Sequence, residues 1–473
     1  MDILVYVLYI VAFAMFILGL SGLTAPRSAV RGNKIAAAGM AVAFIATLIH
    51  IRATSSWIII IAALVVGVIA GIPPARRIKM TAIPQLVALF NGVGGGTVAL
   101  IAWGEFIESD GFTALRVSSG PPIPLVVASL FAAIIGSLSF WGSIIAFLKL
   151  QQILPSRPLT VGRLQRPLNV VAFLGSVAAS VVVGIGAIST GASPIWFVTI
   201  LVLAGLLGVV TVLPIGGADM PVVISLLNAL TGLSAAAAGL ALNNIAMIVA
   251  GMIVGASGTI LTNLMAKAMN RSIPSIVAGG FGGGTGAASA TAGSGDQQAK
   301  FTSASDAAIK LAYANQVIVV PGYGLAVAQA QHAVKDMAKV LEARGIEVKY
   351  AIHPVAGRMP GHMNVLLAEA DVAYDAMKEM DDINAEFSRT DVTIVIGAND
   401  VTNPAARTDP NSPIFGMPIL NVDESRSVIV LKRSMSSGYA GVENPLFFAA
   451  NTTMLFGDAK KSVTQVTEEL KAL

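Results

Sequence analysis

QVIVVPGYGLAV, residues 316–327, decides the fold of the last third of this chain. Val317–Val320 is a short apolar run that reads as a buried strand. Gly322 and Gly324 follow, and Leu325-Ala326-Val327 begins an apolar helix. A strand, a glycine turn and a helix N-terminus together aim backbone N–H groups at one point, the layout that cradles a dinucleotide pyrophosphate. Val327 stands where the usual fingerprint has a third small residue, so the motif departs from G-x-G-x-x-G/A.

Downstream, strands are expected at 316–320, 346–352, 391–396, 418–421 and 427–431, and helices at 325–343, 361–370 and 458–471. That alternation predicts a Rossmann-like α/β domain with a mainly parallel sheet and its ligand at the carboxyl ends of the strands.

Upstream the chemistry changes. The chain is 55% hydrophobic and 12% charged, with mean hydropathy +0.77, against about 25% charged in soluble domains. Up to residue 295 there are 14 Lys/Arg and five acids (Asp2, Glu105, Glu108, Asp110, Asp219), a net +9; the remainder is net −5. Apolar runs long enough to cross about 30 Å of hydrocarbon occur near 2–24, 34–50, 55–72, 81–104, 122–149, 167–189, 193–215, 219–241 and 244–267, which predicts a polytopic α-helical membrane bundle of about nine helices. The first carries Asp2 and no Lys or Arg before a long apolar run, unlike a signal peptide.

Arg27, Arg31, Lys34, Arg76, Arg77, Lys79, Lys149, Arg157, Arg163, Arg166, Lys267 and Arg271 follow the odd-numbered spans, and only Arg52 and Arg116 fall in the alternate loops. By the positive-inside rule the N-terminus is outside and the C-terminal domain is in the cytoplasm. The pI of 9.2 therefore belongs to membrane-flanking loops, and no nucleic-acid partner is expected. There is no cysteine, and His50, His332, His353 and His362 show no metal-ligand spacing, so no metal site is expected. Residues 273–300, Gly/Ala-rich from 278 onward, read as a flexible linker, fitting either a moving domain or an ordinary spacer.

Four strand ends carry compatible chemistry. The second strand ends in His353-Pro354 and lacks the acid that grips a ribose 2′-hydroxyl, which leaves an NADP site open. The last strand runs into Lys432-Arg433-Ser434, two cations and a hydroxyl suited to a phosphate monoester, although a solvated basic pair looks the same. A flexible segment, Ser436-Ser437-Gly438-Tyr439, follows it. Gly397-Ala398-Asn399-Asp400 offers backbone donors and a carboxylate; Val355-Ala356-Gly357-Arg358-Met359-Pro360 leads to a helix start; Asp458-Ala459 opens the final helix. In the membrane part Asn91, Asp219 and Asn228 stand out as polar. They fit a hydrated proton path, or interhelical hydrogen bonds and, for Asp219, a helix cap.

The strings PGYGLAVAQAQ, HPVAGRMPGHMNVLLAEA, IGANDVTNPAARTDPNSPI, KRSMSSGYAGVENPLF and GDAKKSV resemble the NADP(H)-binding domain of proton-translocating nicotinamide nucleotide transhydrogenase. GGADMPVVISLLNALTGLSAAAAG and KAMNRS resemble the membrane part of its beta subunit, so the likeness covers the chain. The resemblance implies reversible hydride transfer between NADH and NADP+, coupled to proton movement across a bacterial cytoplasmic (inner) membrane. It implies that 1–272 is the proton-translocating domain, 273–300 the linker and 301–473 the cytoplasmic NADP(H)-binding domain. NAD(H) would be bound by a partner alpha subunit, in one or two chains, carrying further membrane helices, with the whole assembly a dimer. No residue of this chain is expected to act as a catalytic acid or base.

By the same resemblance the cofactor contacts are Tyr323 beside Gly322, Gly324 and Val327; Val355, Ala356, Gly357, Arg358, Met359 and Pro360; Gly397, Ala398, Asn399, Asp400 and Val401; Gly416 and Met417; Lys432, Arg433, Ser434, Met435, Ser436, Ser437, Gly438 and Tyr439; and Asp458 and Ala459. The family binds NADP(H) flipped relative to ordinary Rossmann enzymes. Some members have histidine where this chain has Asn91, which moves the titrating group of the proton path to a partner helix.

Two other classes compete. An ion channel or transporter with a regulatory cytosolic dinucleotide-binding domain would keep the acid ending the second strand, and a potassium pore would show a TVGYG-like filter; neither is present. A membrane anchor for an uncoupled dehydrogenase needs fewer than nine helices.

Overall fold

The computed structural model describes residues 2–23, 26–51, 56–78, 82–113, 123–155, 158–188, 191–216, 219–269, 272–280, 299–357, 361–412, 414–436, 438 and 440–473. They form two compact units.

In hydrocarbon each backbone N–H and C=O must be satisfied within its own segment, so the apolar runs become helices. Among the described residues nine are long and apolar enough to span a membrane. They are α1 Asp2–Gly22, α2 Pro26–His50, α3 Trp57–Arg77, α4 Ile83–Glu108, α5 Ile123–Leu150, α6 Gln165–Ile188, α7 Pro194–Val212, α8 Met220–Ala241 and α9 Ile245–Ala268. The protein is a multi-pass membrane protein. α5 is the centre of the bundle and packs on α4, α7 and α8. Small residues permit that approach. A Cβ at Gly95 would lie 2.9 Å from the Gly136 carbonyl oxygen, and one at Gly136 would lie 2.7 Å from that of Gly95. α3 has no buried residue. A short helix, α10 Ile273–Gly280, occupies the start of the stretch read as linker; residues 281–298 of it lie outside the described residues.

Within the second unit, α11 Ala304–Ala312, which sequence reading missed, precedes the sheet. Ser303 caps the helix by accepting from the Asp306 backbone N–H at 3.1 Å. The sheet is built from β1 Gln316–Pro321, β2 Glu347–Ile352, β3 Met377–Glu379, β4 Val392–Ile396, β5 Ser427–Lys432 and β6 Thr452–Phe456. All pairings are parallel, in the order β3-β2-β1-β4-β5-β6. This is the doubly wound Rossmann order, whose reversal between β1 and β4 opens a crevice at the carboxyl ends. Every residue of β1 and β4 is buried, as expected for central strands covered on both faces. Residues 300–302 run beside β6, Thr302 N donating to the Met454 carbonyl at 3.0 Å.

The connecting helices are α12 Tyr323–Val327, α13 Gln331–Ala343, α14 His362–Glu369, α15 Met380–Ile383, α16 Ala405–Thr408 and α17 Ala459–Ala472. The helix expected over 325–343 is divided, because Gln329 adopts φ 49° between α12 and α13. The strand expected at 418–421 is absent. Pro418 has no N–H to give a ladder, and the segment is a strap held at single points, Leu420 N to the Val401 carbonyl at 2.9 Å among them. Two strands are unexpected: β3, three residues long, and β6, whose Thr452-Thr453-Met454-Leu455-Phe456 sequence is too short to declare its period.

Candidate functional site

Each turn at the carboxyl ends is built by a different device. After β1 and β4 the devices are glycines. Gly322 N donates to the Ile396 carbonyl and Gly324 N to the Gly397 carbonyl, both at 2.9 Å. A Cβ on Gly322 would collide with the Ala398 backbone. The glycines thus let two turns meet backbone to backbone, leaving Tyr323 half-buried with its ring 6.5 Å from that of His362. Val327 is exposed at the end of α12, away from this contact.

After β2 the chain turns at His353-Pro354. His353 is 2% exposed, with Nε2 2.8 Å from the Pro418 carbonyl oxygen and Nδ1 accepting from Val355 N at 3.2 Å. Burial pushes its pKa down to about 4, against the raising effect of the Pro418 bond, so the ring is neutral at pH 7. Ala356 is buried; Gly357 sits at φ +101°, and a Cβ there would meet His362 Nδ1 at 2.5 Å. Arg358, Met359 and Pro360 lie outside the described residues.

After β5 the chain turns away with Lys432 half-buried and Arg433, Ser434, Met435 and Ser436 exposed. Lys432 Nζ donates to the Ser436 carbonyl at 2.5 Å and lies 4.4 Å from the centroid of the Phe447 ring. Burial lowers its pKa from the usual lysine value, and the Asp400 carboxylate pulls it back up. Arg433 forms no ion pair among the described residues. Ser434 and Ser436 share a hydroxyl hydrogen bond of 2.8 Å. Ser437 and Tyr439 lie outside the described residues.

This segment is fastened to the β4 turn. Ala440 N donates to Asp400 Oδ2 at 3.0 Å, and a Cβ on Gly438 would meet the same carboxylate. Asn444 Nδ2 donates to the Asn399 carbonyl at 3.1 Å and to its Oδ1 at 3.0 Å. Asn403 Nδ2 donates to the Glu443 carbonyl at 3.1 Å. Asn399 Nδ2 is buried with no acceptor among the described residues. Gly416 N donates to the Ala406 carbonyl at 2.8 Å, and Met417 is buried with Val401 and Ala440 packed nearby. Asp458 caps α17 by accepting from Lys461 N at 3.2 Å, with Ala459 buried behind it.

Within the membrane unit, Asn91 is buried and donates to Ser143 Oγ at 2.8 Å and, more weakly, to Ser139 Oγ at 3.4 Å. Ser139 bonds Thr231 Oγ1 at 2.5 Å, so α4, α5 and α8 share a polar chain. The Asn91 carbonyl oxygen has no donor among the described residues. Asn228 is exposed on α8 and does not join that chain. Asp219 occupies the N-cap position of α8, but its side chain makes no cap hydrogen bond.

Residues 5–469 match the family model for the NAD(P) transhydrogenase beta subunit. The chain belongs to that family. It is 48% identical over 463 residues to the NAD(P) transhydrogenase subunit beta of Rhodospirillum rubrum, covering 98% of each chain, and a subunit beta from Rhodospirillum rubrum strain ATCC 11170 matches equally.

For a transhydrogenase beta subunit, sequence reading thus singled out the cationic and glycine-rich turns and missed what fastens them. Asn403, Asn444, Phe447 and the Pro418 carbonyl are ordinary residues in ordinary stretches, and only tertiary contact gives them a task. The serines of α5 carried a faint signal, since Ser137, Ser139 and Ser143 interrupt an apolar run. Lys149 is buried in α5, where Nζ donates to the Leu213 and Ile215 carbonyls beyond the end of α7, the latter at 2.7 Å.

Proposed function

We propose that this chain binds NADP(H) in the crevice at the carboxyl ends of β1, β2, β4 and β5, and couples hydride exchange with NAD(H), held by a partner alpha subunit, to proton movement across a bacterial cytoplasmic membrane. The observation that carries the cofactor assignment is the contrast between two strand ends. β5 ends in an exposed Arg433, with no ion pair among the described residues, beside Ser434, a donor set for a phosphate monoester. β2 ends in a buried, neutral His353 instead of an acid. An acid there would grip a 2′-hydroxyl and repel a 2′-phosphate. The buried Asn399 amide with no acceptor is a further donor awaiting a ligand oxygen.

When bound, NADP(H) supplies the hydride or accepts it. This chain's residues hold and orient it: Arg433 and Ser434 take the 2′-phosphate, the turns after β1 and β4 keep the backbone close, and Ala440 and Asn444 are fastened to the turn after β4 beside it. Residues 1–272 are assigned to proton translocation, 273–300 to the connection and 301–473 to NADP(H). The basic last turns of α3, α5 and α9 support an outside N-terminus and a cytoplasmic nucleotide domain. The unburied α3 and exposed Asn228 support partner helices packing on this bundle, one of them supplying the group that titrates near Asn91, in a dimer of whole assemblies. Titration calorimetry of the full-length protein with NADPH and with NADH tests the assignment: tighter NADPH binding is expected, and equal affinities would remove it.

A further inference from the structure

We infer that His353 is a positioning residue, the pin by which the turn after β2 is locked to the strap at 414–421 so that both flanks of the crevice are set in one geometry. This rests on the NADP(H) assignment just made. The strap is anchored first on the β4 side. Gly416 N donates to the Ala406 carbonyl at 2.8 Å and Leu420 N to the Val401 carbonyl at 2.9 Å, on either side of Pro418. Asn384 holds it from another direction, its Nδ2 donating to the Ile419 carbonyl at 3.0 Å and its Oδ1 accepting from Asn421 N at 3.1 Å. The strap's bond to the β2 side is the Pro418 carbonyl, 2.8 Å from His353 Nε2. β2 and β4 are the two neighbours of β1 in the sheet. One side chain therefore ties the strands that flank the switch point.

The two partners of the ring fix its chemistry. A carbonyl oxygen can only accept, so Nε2 must carry the proton. The Val355 N–H, 3.2 Å from Nδ1, can only donate, so Nδ1 must offer a lone pair. The neutral Nε2–H tautomer alone satisfies both. An imidazolium would turn Nδ1–H against the Val355 N–H inside a site that is 2% exposed. Two separable tasks follow. Nε2 reaches across to the strap, while Nδ1 shapes the local turn at Val355–Gly357.

Glutamine and asparagine separate those tasks. The amide nitrogen of Gln falls where Nε2 lies and keeps a donor for Pro418. The shorter Asn offers an oxygen near Nδ1 but cannot reach the strap. In the full-length protein, His353→Asn is expected to weaken NADPH roughly tenfold, the loss of one buried hydrogen bond, while His353→Gln stays within about threefold of wild type. Nitrogen NMR of the histidine-labelled full-length protein at pH 7 is expected to give one neutral Nε2–H ring assignable to His353. An Nδ1–H tautomer, a cationic ring, or NADPH affinities equal in both variants overturns the pin, and the NMR result does not depend on either variant folding. Wild-type protein with no NADPH affinity overturns the cofactor assignment and the positioning role together. Failure of the inference alone looks different: the wild type binds, and the two variants do not differ.

Discussion

Gly324 N donates to the Gly397 carbonyl at 2.9 Å, and a Cβ on Gly324 would stand 2.7 Å from Gly397 Cα. The turns after β1 and β4 are pressed together as bare backbone. Gly397 also sits at φ +66°, where a side chain is strained. Gly397→Ala is therefore expected to cost on the order of 3 kcal/mol, strain plus overpacking. Gly345→Ala is the control: it has φ +81° but open space, so about 1 kcal/mol of strain is expected. Hydrogen exchange along β1 and β4 in the full-length protein reads the difference. Equal protection in the two variants would contradict the contact.

Lys432 and Arg433 are adjacent but do different things. Lys432 is engaged within the chain, by the Ser436 carbonyl and the Phe447 ring, whereas Arg433 is exposed. Arg433→Ala is expected to weaken NADPH by about 1.5–3 kcal/mol, the value of a charge-assisted bond, and to leave NADH nearly unchanged. Lys432→Ala is expected to weaken both cofactors, because it releases the chain at Ser436 and at Phe447. Calorimetry on the two variants checks this, and a loss confined to NADPH in Lys432→Ala would show that Lys432 also faces the phosphate.

The reason these two cations look alike in sequence is also the reason only part of the site was legible there. Chemistry carried by residue type is visible: the glycine pair, the cation pair, the missing acid at His353, the long apolar runs. Chemistry carried by contact is not. Asn444 and Asn403 bond across loops, and Ser143 meets Asn91 across 52 positions. β6 was missed because five residues flanked by loop carry no clear period, and 418–421 was mistaken for a strand because burial alone makes Ile419 and Leu420 apolar.

Acid should loosen the nucleotide domain in a defined window. His353 is held at about 4 in the fold, against an ordinary value near 6.5. Between those values the unfolded chain binds the extra proton, so stability falls as pH drops from about 6.5 and the loss is complete below about 4. The size is on the order of 3 kcal/mol. Glu386 is half-buried; desolvation pushes its carboxyl up, but hydrogen bonds from Lys349 and Gln316 hold it below its usual range, and Asp391 is held below its range by the Asn315 backbone N–H first. Their stabilisation is lost only at lower pH still. Unfolding of wild type and His353→Gln at pH 7 and 5 should show the drop in wild type alone; an equal drop in both would assign it elsewhere.

Asp219 sits at the N-cap position of α8 without capping it. Asparagine suits an N-cap position about as well as aspartate, so Asp219→Asn is expected to leave the fold intact while removing the ionisable group. In the enzyme assembled with its partner, proton pumping is expected to fall and the pH dependence of NADPH release to flatten. If both survive, the carboxylate has no part in coupling.

The most direct test is proton uptake into sealed vesicles holding this chain with its alpha subunit, the proposed NAD(H) carrier, as NADPH reduces an NAD+ analogue. Uptake that tracks hydride transfer, is abolished by a protonophore, and disappears together with transhydrogenation when the partner is omitted is the predicted result. Hydride transfer at an undiminished rate with no proton movement, or steady transhydrogenation by this chain alone, would contradict it.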